Sequence, residues 1–188
     1  MTDQDFGMGR GKVFPATSAK SLLNPLRRLV QSPRRTIAAM RLPSSGRVVE
    51  VGAGPGFFSP AIADAVPDGV VIVADLQIEM VRLARDRLRE RPNTRFVVAD
   101  AGRLPFRSSG IGAVVLATVL GEVPDTEACL SEIRRVLGPD GALAVAETRR
   151  DSDFISLGAL NALVQPVGFV FEQRRGTGWQ YVARYVTT

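Results

Sequence analysis

Four short runs of nearly continuous apolar residues, many of them β-branched, constrain the fold of this chain more than any other feature of its sequence. They lie at residues 47–51, 70–75, 94–99 and 112–118. Runs of this length and composition are typical of strands that are covered by helices on both faces. Longer segments with helical periodicity separate them, and this alternation predicts βαβ units that build a parallel sheet.

Three further strands are expected at residues 141–147, 168–174 and 179–186. The last two are joined by residues 176–178 alone, which is too short for a parallel crossover, so they should form an antiparallel hairpin. The predicted fold class is therefore α/β: a Rossmann-like, doubly wound, mostly parallel seven-stranded sheet with a C-terminal antiparallel hairpin, flanked by helices. Apolar periodicity predicts amphipathic helices at 77–91 and 124–137.

The first 45 residues differ from the rest in pattern and in charge. An asparagine and a serine, each followed by proline, predict short helices at 25–31 and 33–41, and the glycine-rich residues 7–12 are expected to be mobile unless a ligand holds them. Residues 1–47 contain nine basic and two acidic side chains, whereas the remainder contains 15 basic and 17 acidic ones. Such a segment can favour an anionic substrate, a phosphate backbone or an acidic lipid surface, or it can be a solvated helix surface.

Cysteine usage and hydropathy predict the compartment. The single cysteine, Cys129, cannot form an internal disulfide, and the first five residues lack the character of a secretory signal. The longest apolar stretch, at residues 111–120, is far short of the ~20 residues that cross a bilayer. We therefore expect a cytoplasmic protein without a membrane span, and we predict no metal site.

A glycine-rich turn follows the first apolar strand directly. Gly52, Gly54 and Gly56 alternate there with other residues, and a helix should begin near Phe57. Glycines allow unusual backbone angles and close approach of a ligand, while the amides at a helix start attract anions or polarised groups. The spacing lacks the glycine that a dinucleotide fingerprint requires at its sixth position, which argues against NAD.

Acidic residues lie at the carboxyl ends of the first three strands. Ligands of open α/β sheets bind at this edge, so Glu50, Asp75 and Asp100 should face one crevice if the strand order reverses at the first strand. Asp75 can accept both hydroxyls of a ribose. Each residue also has a structural alternative: Asp75 as a helix cap, Asp100 as the closure of an Asx turn, and Glu50 as a brace for the loop.

Four segments, in this order, resemble the successive motifs of class I S-adenosylmethionine-dependent methyltransferases. They are the turn at residues 50–56, Asp75, residues 100–106 and residues 130–141. They are most similar to the broad branch that includes ubiquinone and menaquinone C-methyltransferases. The resemblance extends over residues 47–147 and identifies a superfamily rather than a substrate.

This resemblance implies S-adenosylmethionine as the cofactor and S-adenosylhomocysteine as the product. It also implies a methyltransferase domain at residues 46–188. The basic helical segment at residues 1–45 is the expected lid or substrate segment, because Phe14, Leu22, Leu23 and Leu26 either close over the crevice or pack the helices against the sheet. The implied cofactor-binding residues are Glu50, Gly52, Ala53, Gly54, Gly56, Asp75, Leu76, Met80, Asp100, Ala101, Ala117 and Thr118. Within this set, the turn packs against the methionine moiety, Asp75 holds the ribose, residues 76, 80, 100 and 101 border the adenine, and residues 117 and 118 lie near the methyl group.

The chain departs from the family pattern at two places. Residues 111–112 are Ile-Gly where Phe-Asp is common, and Gly121 occupies a position that is often histidine. Because the chain has no histidine, any proton removal must use a carboxylate, a tyrosine or water. Glu122 and Glu147 follow or end strands at the crevice side and are the candidate catalytic residues.

The expected function is methyl transfer from S-adenosylmethionine to a small-molecule acceptor by in-line displacement. Two alternatives are a non-catalytic S-adenosylmethionine-binding protein and an RNA methyltransferase that uses the basic N-terminal segment. The segment offers only Phe6 and Phe14 for base stacking, so nucleic acid is the less favoured partner. Acceptor specificity should come from residues 6–41, 118–124 and 148–160.

Overall fold

The computed structural model describes residues 11–12, 14–23 and 31–187. It contains the strands β1 (Ser45–Val51), β2 (Asp68–Asp75), β3 (Thr94–Val98), β4 (Ile111–Ala117), β5 (Leu137–Thr148), β6 (Phe169–Gly176) and β7 (Gln180–Thr187). Its helices are α1 (Ala19–Leu22), α2 (Pro33–Met40), α3 (Ser59–Ala65), α4 (Ile78–Arg87), α5 (Thr126–Val136) and α6 (Leu157–Val164). Three 3-10 turns cover Ala16–Ser18, Leu120–Glu122 and Gln165–Val167.

All seven strands form one sheet in the order β3-β2-β1-β4-β5-β7-β6. The first five pair in parallel, and β7 pairs antiparallel with both β5 and β6. The strand order reverses at β1, which lies between β2 and β4, so the predicted switch point and the predicted hairpin are both confirmed. Because these three strands are parallel, their carboxyl ends meet at one edge and create the crevice in which such folds bind ligands.

Alternate side chains of the central strands enter two hydrophobic cores, one on each face of the sheet. On one face, Leu143 and Val145 of β5 pack with residues of α5 and α6. On the other face, Ala142, Ala144 and Ala146 of the same strand share a core with α2, α3 and α4. The small alanine side chains leave room for α2, which packs over β5 and β7. This two-sided burial explains why the strands are nearly continuous apolar runs.

The structure differs from the sequence-based expectation at helix α6 and at strand β5. Helix α6 was not predicted, and its N-cap is Ser156, whose hydroxyl accepts a hydrogen bond from the amide of Ala159. Strand β5 begins at Leu137 rather than at residue 141, because the chain passes directly from α5 into the sheet through a register shift opposite β4. The predicted helix at residues 25–31 falls largely outside the described residues, as does most of the glycine-rich stretch at 7–12.

No helix in the described part of the chain has the length and apolar character that a membrane crossing requires.

Truncation of a core leucine should destabilise the fold far more than truncation of a surface leucine. Leu143 in β5 is fully buried, whereas Leu163 in α6 is 38% exposed. Leu143→Ala leaves a cavity and should lower the free energy of unfolding by about 2–5 kcal/mol. The matched Leu163→Ala change should cost no more than about 0.5–1 kcal/mol. Urea unfolding of both variants measures the difference, and equal losses would contradict the assigned core.

Candidate functional site

The glycine-rich turn after β1 has a backbone that only glycine adopts easily. Gly52, Gly54 and Gly56 have φ angles of 67°, 53° and 79°. A Cβ atom on Gly52 would also lie 2.4 Å from a methyl carbon of Val119, so the turn and the loop after β4 are in direct contact. On Gly56, a Cβ atom would lie 3.3 Å from Ala84 of α4. The glycines therefore serve both the shape of the turn and its packing.

Asp75, the last residue of β2, ties this turn to the neighbouring strand. Its Oδ2 accepts a hydrogen bond from the amide of Gly54 at 2.8 Å, and its Oδ1 accepts one from the amide of Gln77 at 2.9 Å. The side chain is 8% exposed, and burial raises the pKa of its carboxyl. The two amide bonds fix the orientation of the carboxylate, which lines the cavity and has further lone pairs to offer a ligand. The bond to Gln77 joins Asp75 to the residue that precedes α4, but it is an Asx-type contact and not a helix cap, because the N-cap of α4 is Gln77 itself.

Glu50 of β1 braces the start of helix α3. It is 2% exposed, and its Oε2 accepts a hydrogen bond from the hydroxyl of Ser59. Burial raises the pKa of Glu50 to about 8, with a smaller contribution from the nearby carboxylate of Asp75. A carboxyl group in this environment is largely protonated at neutral pH, so it can donate a hydrogen bond as well as accept one.

Asp100 closes an Asx turn, as one of the sequence interpretations proposed. Its Oδ1 accepts a hydrogen bond from the amide of Gly102 at 2.8 Å. The next residues are held by α5: Glu132 accepts a bond from the amide of Leu104 at 2.8 Å, and Arg135 donates to the carbonyl of Phe106 at 2.9 Å. The motif at residues 100–106 and the motif at residues 130–141 are therefore two sides of one structural contact.

A cavity of about 750 Å³ opens at the carboxyl edge of β1, β2 and β4. Eleven of the twelve predicted cofactor-binding residues line it, namely Glu50, Gly52, Ala53, Gly54, Asp75, Leu76, Met80, Asp100, Ala101, Ala117 and Thr118. The exception is Gly56, which is buried against Ala84 of α4 and is not among the lining residues. The volume lies within the roughly 300–1,000 Å³ of ordinary small-molecule sites.

The N-terminal segment crosses the mouth of this cavity. The amide of Gly11 donates to the carbonyl of Gly121 at 2.9 Å, and Gln77 donates through its side chain to the carbonyl of Phe14 at 2.7 Å. The amide of Phe14 also donates to Glu122 at 3.4 Å. Gly11 and Phe14 therefore contact both the loop after β2 and the loop after β4. Among the described residues of the segment, those that line the cavity are Gly11, Lys12, Phe14 and Leu22.

Glu122 is the candidate catalytic residue that reaches the cavity. It is half-buried, and burial raises its pKa to about 7, with further contributions from the carboxylates of Asp153, Asp151 and Asp75. The hydrogen bond from the amide of Phe14 lowers the pKa of Glu122. A carboxyl group that titrates near neutral pH can exchange a proton with a bound molecule under ordinary conditions.

Glu147, the other candidate, lies away from the cavity. Its side chain is 2% exposed, and its Oε2 accepts a hydrogen bond from the amide of Ile155 at 3.2 Å. Tyr181 donates to the carbonyl of the same Ile155 at 2.7 Å. Glu147 therefore holds the loop at residues 149–155 onto the sheet, and it is not among the lining residues of the cavity.

That loop supplies lining residues that the sequence motifs did not indicate: Arg150, Asp151, Ser152 and Asp153. It packs directly on Gly121, where a Cβ atom would lie 2.3 Å from the carbonyl oxygen of Asp153. The glycine that replaces the family's common histidine therefore permits a close approach of two loops. Only a general expectation, that residues 148–160 contribute to specificity, pointed to this region.

Three comparisons with known proteins place the chain in a family. Residues 48–141, half of the chain, match the family described as a methyltransferase domain. The chain is 32% identical over 133 residues to a ubiquinone/menaquinone biosynthesis C-methyltransferase of Pseudomonas putida, which covers 69% of the chain and 52% of that protein. It is 31% identical over 115 residues to a demethylmenaquinone methyltransferase of Roseiflexus, which covers 61% and 48%.

A solved structure extends the likeness to nearly the whole chain. The crystal structure of a SAM-dependent methyltransferase from Aquifex aeolicus aligns with a TM-score of 0.86 at 20% identity, covering 94% of this chain and 100% of that one. The chain spans about half the length of the curated relatives it matches. The ordered motifs, the sheet topology and the family match agree, and the chain therefore belongs to the class I S-adenosylmethionine-dependent methyltransferases, whose cofactor is S-adenosylmethionine.

Proposed function

We propose that this protein transfers a methyl group from S-adenosylmethionine to a small-molecule acceptor by in-line displacement. The observation that carries the proposal is the cavity in which the glycine-rich turn, the oriented carboxylate of Asp75 and the half-buried Glu122 meet. The names of the relatives, which describe C-methylation in ubiquinone and menaquinone biosynthesis, support a small molecule as the acceptor class.

The proposed cofactor site follows the crevice from β2 to β4. Asp75 would bind the ribose hydroxyls, since its oxygens are held in place by two backbone amides. The turn would contact the methionine moiety, because a backbone without side chains can approach a ligand closely. Met80, Leu76 and Ala101 offer apolar contacts for the adenine. Ala117 and Thr118, at the end of β4, would lie near the methyl group.

The bound cofactor supplies a methyl group on a sulfonium, which is a good leaving group for direct displacement. The protein must then position the acceptor in line with the departing sulfur and exclude water. Positioning of this kind can contribute roughly 7–11 kcal/mol to the barrier reduction. Phe14 and Leu22 of the N-terminal segment contribute apolar surface at the mouth of the cavity, which supports a lid role for residues 1–45.

Glu122 is the proposed general base. Its carboxylate lines the cavity, and its pKa of about 7 lies near physiological pH, where a general base works most efficiently. It follows Thr118 by four residues, on the loop that contacts the glycine-rich turn. We also propose a cytoplasmic location, because the single cysteine, Cys129, cannot form an internal disulfide.

Removal of the Asp75 carboxylate should weaken cofactor binding. Asp75→Ala deletes two hydrogen bonds within the turn and the proposed bonds to the ribose, and hydrogen bonds to charged groups contribute about 1.5–3 kcal/mol each. Calorimetric titration with S-adenosylhomocysteine should therefore show a loss of affinity of about 10-fold or more. Asp86→Ala, at an exposed position on α4, is the control with the same charge change and should bind as the wild type does. Equal affinities for the two variants would refute the site.

The raised pKa of Glu122 should make stability depend on pH. Folding raises this pKa from its ordinary value of 4.5 to about 7, so the folded chain binds more protons than the unfolded chain between these values. The associated stability is fully present below pH 4.5 and is lost as the pH rises through about 7. Glu122→Gln lacks this titration, so its free energy of unfolding should rise relative to that of the wild type as the pH increases from 4.5 to about 7.

Urea unfolding at a series of pH values from 4 to about 8 measures this effect. Glu127→Gln, at an exposed position on α5, is the matched control. The same pH dependence in both variants, relative to the wild type, would show that the environment of Glu122 does not penalise its charge.

A further inference from the structure

Three carboxylates from two loops line the same part of the cavity. Glu122 follows β4, whereas Asp151 and Asp153 belong to the loop after β5. The two loops touch at Gly121, where a Cβ atom would lie 2.8 Å from Oδ2 of Asp153. Because Gly121 immediately precedes Glu122, this contact places the carboxylate of Asp153 beside the proposed general base.

Asp153 lines the cavity with a carboxylate that no group of the described residues satisfies. The residue is 8% exposed, and within the described part of the chain its carboxylate accepts no hydrogen bond and forms no ion pair. Native structures satisfy polar groups in such positions with protein atoms, water or a ligand. Its place on the cavity wall leaves water or a bound molecule as the partner, and an acceptor that enters the cavity replaces the water.

The charges on the cavity wall formed by Glu122, Asp151 and Asp153 indicate the chemistry of the molecule that binds there. Lys12, Arg103 and Arg150 also line the cavity, but the charged groups that act on Glu122 are all carboxylates: Asp153, Asp151 and Asp75. An anionic acceptor would be repelled by this wall. A group that carries a positive charge and several N–H donors would satisfy both Glu122 and Asp153.

We propose that the methyl acceptor is a small amine, whose ammonium group donates hydrogen bonds to Asp153 and Glu122. This inference rests on the methyl transfer proposed above and narrows it to one acceptor class. Glu122 accepts a proton from the ammonium and leaves a neutral amine. The nitrogen lone pair then forms the N–CH₃ bond while the S–CH₃ bond breaks, and its electron pair stays on the sulfur. The product leaves as a methylated ammonium, and Glu122 releases its proton to solvent.

Binding of matched probes in the presence of S-adenosylhomocysteine tests this proposal. The full chain is first titrated with S-adenosylhomocysteine alone, and its failure to bind would refute the proposed function itself. The saturated protein is then titrated at pH 8 with sets of amines, alcohols and carboxylic acids built on the same aliphatic and aromatic frames. We expect at least one amine to bind about 10-fold or more tightly than the alcohol and the acid of its frame.

Substitutions of Asp153 and Glu122 distinguish acceptor binding from cofactor binding. Asp153→Asn should weaken amine binding about 10-fold or more and leave the affinity for S-adenosylhomocysteine unchanged. Glu122→Gln should weaken amine binding as well, which keeps the test valid if circular dichroism shows that Asp153→Asn is unfolded. Asp140→Asn, at an exposed position in the turn within β5, is the control and should leave both affinities unchanged.

Three results would overturn the proposal. The first is that no amine binds to the complex with S-adenosylhomocysteine. The second is a preference for the alcohol or the acid of each frame. The third is a loss of affinity for S-adenosylhomocysteine in Asp153→Asn, which would assign this carboxylate to the α-ammonium group of the cofactor instead.

Discussion

The hydrogen bond between the amide of Gly54 and the carboxylate of Asp75 is the interaction on which the rest of the site depends. It joins the turn after β1 to the end of β2, and so it fixes two walls of the cavity relative to each other. Gly54 has a left-handed backbone in this turn. The second oxygen of Asp75, bonded to Gln77, adds the start of α4 to the same unit.

The carboxylates of the site fall into two groups with different physical roles. Glu50 and Glu147 are almost fully buried, and each accepts a hydrogen bond from a nearby protein group, so both brace the scaffold. Glu122 and Asp153 face the cavity and are less well satisfied by the protein. Burial and mutual repulsion favour proton uptake by Glu122. A ligand with positive charge relieves the same repulsion, and this links proton transfer to acceptor recognition.

Much of the fold could be predicted because the relevant signals are local. Apolar runs, helical periodicity and a linker too short for a crossover indicate strands, helices and a hairpin without any knowledge of distant contacts. Helix α6 was missed because its exposed face carries mostly small and apolar residues, which weakens the periodic contrast. Strand β5 was predicted too short because the glycine and proline at 138–139 look like a helix stop, whereas they lie in the strand's first residues.

In the site, too, the residues positioned by local sequence patterns could be predicted, whereas those positioned by distant contacts could not. Strand-end residues such as Asp75 were predicted correctly as lining residues because the parallel topology fixes where strand ends lie. Glu147 has the same local pattern, but the loop at 149–155 covers it, and only tertiary contacts with Tyr181 determine that loop's path. Asp153 was not identified for the same reason. Its position depends on the close approach to Gly121, which no motif records.

A crystal structure of this chain with S-adenosylhomocysteine is the most direct test of the central claim. The account predicts the ribose hydroxyls within hydrogen-bond distance of Asp75, the methionine moiety against residues 52–54 and the sulfur beside Thr118. In that structure, Asp153 should remain clear of the cofactor's ammonium group. An adenosyl group bound outside this crevice, or a crevice that stays empty at saturating ligand, would contradict the account.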